Sequence, residues 1–195
     1  MVSKWRKQHR AELRQIILDA ARDAFRRDGF DSVSMRKLAE AVGLSHGAIY
    51  GYFKDKDELF DALVQQSFDQ LAATLHALPG RSGDPVRFLK RAGRAYVEFG
   101  LKNPGAYEFA FILRRPGAGS KRHMAYGYLH AAVERCIEEK RFRVRNVDVA
   151  SQALWAAVHG ITSLLILRPD FPWVKKKTLI AQVVDGAVDG LLARS

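Results

Sequence analysis

Apolar residues recur along the chain at intervals of three and four, which is the spacing of one face of an α-helix. The first such series begins at Leu13 and ends before Gly29, and it occupies positions 13, 16, 17, 20, 21, 24 and 25. No stretch shows the strict alternation of apolar and polar residues that is typical of a half-buried strand. The pattern therefore predicts an all-α protein.

Capping residues divide the next part of the chain into helices. Ser34 is a candidate N-cap for "MRKLAEAV", Gly43 ends that helix, and Ser45 is a second candidate N-cap, for "HGAIYGYF". Asp55, with a glutamate three residues later, predicts a capping box that opens a long helix running to about Leu78. This part of the chain therefore contains two short helices followed by a long one.

The second half contains five further predicted helices, which follow the linker "PGRSGDP". Asp84 and Pro85 are the expected N-cap and first residue of a helix that runs to about Leu101, and Asn146 caps a long apolar helix. The other segments lie at about 104–114, 121–140 and 174–193. We find no internal repeat and no low-complexity tract.

Two short helices joined through a glycine are typical of a helix-turn-helix, whose second helix enters the major groove of DNA. Apolar residues for the buried faces are Leu38, Val42, Leu44, Ile49 and Phe53. The second helix has a low intrinsic stability, because Gly47 and Gly51 each cost roughly 1 kcal/mol relative to alanine in a helix interior. Small residues instead permit a close approach to DNA.

The charge of the chain favours a polyanionic partner. The 195 residues carry a formal net charge of +11, which suits nucleic acid or an anionic membrane surface. The first residues, "MVSKWRKQHR", lack the apolar core of a secretory signal, and no apolar run reaches the roughly 18 residues of a membrane span. With Cys136 alone there is no disulfide framework. We therefore expect a cytoplasmic protein without a membrane partner, whose basic "SKWRKQHR" arm either contacts DNA or is a solvated tail.

The segment "SVSMRKLAEAVGLSHGAIYGYFKDKDELF" resembles the N-terminal domain of the TetR family of transcription regulators. The resemblance implies an all-α homodimer, with a three-helix helix-turn-helix DNA-binding domain at residues 1–56. It also implies a larger helical domain at residues 57–195 that binds a small ligand and dimerises. Such a protein has no catalytic residues, metal or cofactor.

The resemblance also implies roles for individual residues of the DNA-binding domain. Residues at the family's phosphate-contact positions are Ser34, Tyr50 and Lys56. Residues at positions that tend to face base edges are Arg36, His46, Gly47 and Ala48, and those that flank them are Ser45, Tyr52 and Lys54. Gly51 departs from the family, since many relatives have a larger residue there, and we expect a recognition helix that is less rigid before it binds DNA.

"ALWAAVHGITSLLI" resembles the C-terminal domain type of the same family that carries a Trp-His-Gly signature, here Trp155, His159 and Gly160. Trp155 and His159 are four residues apart and share a helix face. The predicted ligand-binding residues are Phe68, Tyr96, Phe99, Tyr107, Phe111, Tyr128, Trp155 and His159. Phe109 and Tyr126 belong to the same aromatic set, which suits a flat or hydrophobic effector. The alternative is that His159 lies in the core and bonds a backbone carbonyl.

The last two helices are the predicted dimer interface. Val183, Ala187 and Leu191 share an apolar face, on which Gly186 and Gly190 let another helix come close. The combined prediction is a ligand-responsive repressor that binds a palindromic double-stranded DNA operator as a homodimer.

Two other classes of protein remain as alternatives. An enzyme is disfavoured because the chain lacks the common metal-binding, nucleophile and phosphate-loop motifs, and its six histidines form no ligand pair at helical spacing. A basic helical module at membranes fits the charge but does not explain the two capped helices around Gly43.

Overall fold

The computed structural model describes residues 2–113 and 123–193. Within these ranges the chain is helical and has no strand, apart from one isolated bridge between Phe142 and Leu192. The helices are α1 (Val2–Asp28), α2 (Met35–Ala41), α3 (His46–Ile49), α4 (Lys56–His76), α5 (Pro85–Lys102), α6 (Pro104–Tyr107), α7 (His123–Glu138), α8 (Val147–Leu167) and α9 (Lys176–Asp189). A π-helical segment, Glu108–Ile112, follows α6 directly. The all-α prediction is confirmed.

The predicted N-caps are confirmed at several helix starts. The Ser34 hydroxyl accepts the backbone N–H of Lys37 at 3.3 Å, and the carboxylate of Asp84 accepts that of Arg87 at 2.9 Å. At the start of α4, a carboxylate oxygen of Asp55 accepts the N–H of Glu58 at 2.7 Å. Each cap satisfies a backbone donor that the first turn of the helix leaves without an intrahelical partner.

Three helices differ in extent from the prediction. α1 begins at Val2 rather than near Leu13, because exposed polar residues continue the helix beyond the apolar series. α3 ends at Ile49 and a turn takes its place, in which the N–H of Gly51 bonds the carbonyl of Ala48 at 3.1 Å. The predicted helix at 104–114 consists of α6 and the π-helical segment.

The described residues form two compact units. The first comprises residues 2–67 with 108–113, and the second comprises residues 68–107 with 123–193. The division within α4 therefore falls at Ser67 and Phe68, whereas the sequence places it at 56/57. The difference arises because buried residues of early α4, including Leu59 and Phe60, belong to the core of the first unit.

The π-helical segment completes the core of the first unit. The ring of Phe109 lies 5.4 Å from that of Phe60 and 6.2 Å from that of Phe25, measured between centroids. Glu108 forms an ion pair with Arg26 at 2.9 Å. A segment distant in sequence thus packs against α1 and α4, and apolar periodicity does not reveal such a contact.

In the second unit, α5, α7, α8 and α9 pack against one another. Arg94 pairs with Asp185 at 2.5 Å and Lys90 pairs with Asp189 at 2.6 Å, so two ion pairs link α5 to α9. Among the described residues, α8 is the one helix long and apolar enough to cross a membrane by length and composition. Its buried face packs inside this unit, with buried residues that include Leu154, Ile161 and Leu165.

Candidate DNA-binding site

The turn between α2 and α3 is set by the backbone of Gly43. Gly43 has a φ of +71°, in the left-handed region that favours glycine. Its N–H bonds the carbonyl of Glu40 at 3.2 Å, and the N–H of Leu44 bonds the carbonyl of Ala39 at 2.9 Å. These two bonds form a Schellman motif, which ends α2 and redirects the chain into α3.

α3 is held by a few buried side chains and exposes the rest. Ile49 and Phe53 are buried, and α2 contributes buried Leu38 and Ala39. The Ser45 hydroxyl caps α3 by accepting the N–H of Ala48 at 3.2 Å. The exposed positions on and around α3 are Ser45, His46, Gly47, Ala48, Tyr50 and Gly51. The helix therefore presents a small polar surface with two side chains large enough to reach far from it.

Those two side chains contact each other. The rings of His46 and Tyr50 meet edge to face with centroids 5.2 Å apart, and the Tyr50 hydroxyl lies 3.5 Å from Nε2 of His46. Arg36 on α2 is also exposed and its Nε donates to Glu40 at 3.0 Å. An exposed pair of this kind contributes at most about 1 kcal/mol, so Arg36 can exchange Glu40 for another acceptor at little cost.

Tyr52 is half-buried beneath an arginine of α1. The guanidinium of Arg10 lies 5.1 Å from the centre of the Tyr52 ring, and its Nη2 donates to the carbonyl of Gly51 at 2.6 Å. Arg10 thus binds the turn that follows α3. Tyr52 is a predicted site residue, whereas the contact of Arg10 with this turn was not predicted, because no local spacing relates Arg10 to Gly51, forty-one positions later.

Lys56 is engaged inside the protein. Its ammonium donates to the carbonyls of Phe30 at 2.7 Å and Val33 at 2.9 Å, lies 3.4 Å from the carbonyl of Asp31, and sits 4.2 Å from the centre of the Phe30 ring. An ammonium has three N–H donors, which match these three carbonyls. The structure therefore gives Lys56 a role in fixing the loop between α1 and α2, whereas the resemblance implies a phosphate contact. Lys54 is exposed and lies 3.8 Å from Asp55.

A second cluster of the predicted site residues lies in the second unit. The Tyr107 hydroxyl lies 2.5 Å from Nδ1 of His159, and the Tyr96 hydroxyl lies 3.3 Å from that of Tyr107. Trp155 and His159 have centroids 5.8 Å apart, which confirms their shared helix face. The ring centroids of Tyr126 and Trp155 lie 6.1 Å apart in an edge-to-face arrangement. The buried hydroxyl of Tyr126 has no hydrogen-bond partner among the described residues.

The remaining predicted ligand-binding residues are Phe68, Phe99, Phe111 and Tyr128. Phe68 and Phe99 are buried in the second unit, and Tyr128 lies beside His76 and under Arg81. Phe111 lies in the π-helical segment and belongs to the first unit. The structure thus brings together four of the eight predicted residues, Tyr96, Tyr107, Trp155 and His159.

Burial changes the acid–base chemistry of this cluster. Desolvation lowers the pKa of His159 below its usual value and raises the pKa of Tyr107 and of Tyr96. His159 is therefore neutral near pH 7, and its Nδ1 can accept a hydrogen bond from the Tyr107 hydroxyl. Among the described residues there is no group of three or more metal-ligating side chains.

A capped helix-turn-helix with an exposed second helix, in a chain with a separate helical unit, defines a DNA-binding transcriptional regulator. The chain belongs to the TetR family: the pattern of "Bacterial regulatory proteins, tetR family" matches residues 17–63. That of "Tetracyclin repressor-like, C-terminal domain" matches residues 89–188, just over half of the chain. The family is one of bacterial regulatory proteins rather than enzymes.

Individual relatives agree with this membership. The chain is 45% identical over 65 residues to the HTH-type transcriptional repressor Rv1474c of Mycobacterium tuberculosis, a match of 33% of this chain and 35% of that protein. It is 35% identical over 78 residues to the nucleoid occlusion factor SlmA of Actinobacillus pleuropneumoniae, covering 40% of this chain and 39% of the relative. Both matches span well under half of the relatives' length.

Solved structures match the fold over nearly the whole chain. A tetR-family regulatory protein from Rhodococcus RHA1 superposes with a TM-score of 0.78 at 17% identity, covering 94% of this chain and 98% of that one. At this identity the likeness concerns the fold alone.

We predict that Lys56→Met lowers the free energy of unfolding by about 1–3 kcal/mol, because it leaves partly buried carbonyls without their donor. Thermal unfolding followed by circular dichroism should show a melting temperature several degrees lower. Lys54→Met is the matched control, since Lys54 is exposed, and should leave the transition unchanged. Equal behaviour of the two variants would remove the structural role from Lys56.

We also predict that His159 makes stability depend on pH in a defined direction. Its pKa is lowered in the folded state. Below about pH 6.5 the imidazole is therefore protonated in the unfolded chain but still neutral in the folded protein. Stability is therefore lost as the pH falls through this range, and it returns as the pH rises above it. Melting temperatures of the wild type and His159→Gln, compared between about pH 5 and 8, should converge toward low pH. A constant difference at every pH would contradict the prediction.

Proposed function

We propose that the protein is a ligand-responsive repressor that binds a palindromic DNA operator as a homodimer in the cytoplasm. The observation that carries the proposal is the exposed face of α3, which the Gly43 turn and the Ser45 cap present next to an exposed Arg36. The name of the relative Rv1474c, a transcriptional repressor, supports the direction of regulation. The positive net charge supports the choice of partner.

The exposed side chains divide into two kinds of DNA contact. Hydroxyl and ammonium groups of Ser34, Tyr50 and Lys54 suit phosphate oxygens, which fix the position of the protein but carry little sequence information. Arg36 and His46 have donors that suit base edges, with Gly47 and Ala48 allowing close approach and Ser45 and Tyr52 flanking them. Lys56 is left out of this set because its ammonium holds the loop between α1 and α2.

The second copy of the chain is expected on α8 and α9. An exposed or half-exposed apolar stripe runs along α8 at intervals of three and four, through Val149, Ala153, Ala156, Gly160, Leu164 and Leu167. Leu164 and Leu167 are each about half exposed, and a Cβ added at Gly160 would meet no atom within 4 Å. On α9, Val183 and Gly186 remain accessible, whereas Ala187, and Leu191 just beyond the end of α9, pack partly against the core of their own chain. The partner helix would therefore lie mainly along α8.

The effector is expected at the cluster around Trp155. The walls are aromatic, and the Tyr126 hydroxyl is a buried polar group without a partner among the described residues. Leaving such a group unsatisfied costs free energy that a hydrogen-bonding ligand would offset. A neutral aromatic compound with one or two polar atoms fits this chemistry. An effector that prefers the state unable to bind DNA lowers the affinity for the operator. By linkage, bound DNA lowers the affinity for the effector by the same factor.

For DNA recognition, we predict that Tyr50→Phe weakens binding to all duplexes by roughly 3- to 10-fold, since it removes one phosphate hydrogen bond. His46→Ala should instead change which bases are preferred, at a cost of about 1–3 kcal/mol for the best site. Selection of bound duplexes from a random pool, followed by titration, measures both effects. Tyr128→Phe, in the second unit, is the matched control. A changed base preference in Tyr50→Phe would reverse the assignment.

For the dimer, we predict that Ala156→Glu places a charge in the apolar stripe of α8 and yields monomers. Ala131→Glu introduces the same charge at an exposed alanine of α7 and should leave the dimer intact. Because both alanines are exposed, neither change should disturb the fold of a single chain. Sedimentation velocity distinguishes the species. If Ala156→Glu forms dimers as stable as those of the wild type, the interface does not lie along α8.

For the effector, we predict that a neutral aromatic probe, N-phenyl-1-naphthylamine, lowers the affinity for the selected operator. Trp155→Ala should blunt this response while leaving affinity without the probe within about twofold, because Trp155 lies in the second unit. Trp173→Ala is the matched control. An undiminished response in Trp155→Ala would show that the probe binds elsewhere.

A further inference from the structure

Residues 5–12 of α1 are exposed along their whole length, and Arg10 alone among their basic residues has a described contact with the turn after α3. Every residue from 5 to 12 is exposed, whereas Ile17, Ala21 and Phe25 further along α1 are buried. The basic residues of this stretch are Arg6, Lys7 and Arg10, and Glu12 is its one acidic residue. The result is an exposed basic helix joined without a break to the core of the first unit.

The buried stripe of α1 changes from apolar to arginine at this point. Counting back from Ala21 and Ile17 at helical spacing, the same face carries Arg14, Arg10 and Arg6. The Arg14 guanidinium lies 4.7 Å from the centre of the Phe53 ring, and Arg10 binds the Gly51 carbonyl and covers Tyr52. This arginine face of α1 therefore packs along residues 51–53, which follow α3.

Arg6 comes next on this face, one helical turn beyond Arg10, at a Cβ separation of about 5–6 Å. Lys7 is its neighbour in the chain, and both are exposed. The arginine face of α1, which contacts the turn after α3 through Arg10, thus continues to Arg6 and Lys7.

This charge pattern is not one that stabilises the helix itself. A helix that is polar on every side gains nothing from burial, and short isolated helices are marginal in water. The pairs Arg6 with Arg10 and Arg10 with Arg14 place like charges four residues apart, which costs a few tenths of a kcal/mol each. A polyanion along this face would remove that repulsion.

We infer that Arg6 and Lys7 bind backbone phosphates of duplex DNA outside the base pairs that α3 reads, so that α1 lengthens the footprint of the protein. Continuity with the recognition helix through Arg10, together with the charge, favours DNA over an anionic membrane. The inference rests on the proposed DNA-binding function. It concerns affinity and salt dependence rather than sequence preference, since phosphates carry no base information.

The test uses the full chain and duplexes recovered by selection, prepared in two lengths: the selected site alone and the site with ten added base pairs on each side. The variant Arg6→Gln/Lys7→Gln should bind the longer duplex about tenfold more weakly at roughly 0.15 M salt. The slope of log affinity against log salt should fall by about two per protomer. On the short duplex, wild type and variant should differ little.

The matched control is Lys176→Gln/Lys177→Gln, which removes the same charge from exposed positions of α9. If the two double variants show the same affinity and salt slope, the inference is wrong while DNA binding stands. If the wild type binds no duplex at all, the proposed function itself fails. Vesicles of phosphatidylglycerol form the last arm: binding to them that depends on Arg6 and Lys7, with duplex affinity unchanged, would assign this face to a membrane. Circular dichroism verifies that the helix content is retained.

Discussion

The left-handed backbone at Gly43 is the constraint on which the DNA-binding surface depends. A residue with a Cβ is strained at this φ, so glycine lets α2 end in two reverse hydrogen bonds and α3 start three residues after it, at His46. The angle between the helices then determines which side chains of α3 are buried. Ile49 and Phe53 enter the core, and His46 and Tyr50 are left outside. One backbone dihedral thus separates the buried from the exposed residues of this helix-turn-helix.

Much of this arrangement was predictable from sequence because it is local. Caps at Ser34, Ser45 and Asn146 act within three residues, and a glycine between two helices is itself the sequence signal for the turn. The fold class and the exposed residues of α3 follow from such signals. The length of α3 did not, because the apolar spacing continues past Ile49 to Phe53, across Gly51, where glycine costs roughly 1 kcal/mol in a helix.

Contacts between residues distant in sequence were not predictable. Lys56 has the residue type of a phosphate contact, yet its partners are three carbonyls of a loop more than twenty residues earlier. Arg10 lies in a basic segment that no apolar spacing marks, yet its guanidinium donates to the carbonyl of Gly51, forty-one residues later. Residue type gives the chemistry that a side chain can perform, while packing decides which partner it meets.

The place of the π-helical segment in the first unit bears on how the chain is made. Residues 2–67 leave the ribosome well before Phe109, whose ring packs against those of Phe25 and Phe60. Until the segment emerges, part of this apolar core is open to water and to other nascent chains. The helix-turn-helix is therefore encoded first but completed only after the beginning of the second unit has been synthesised. A fragment that stops at Ser67 would lack a piece of its own interior.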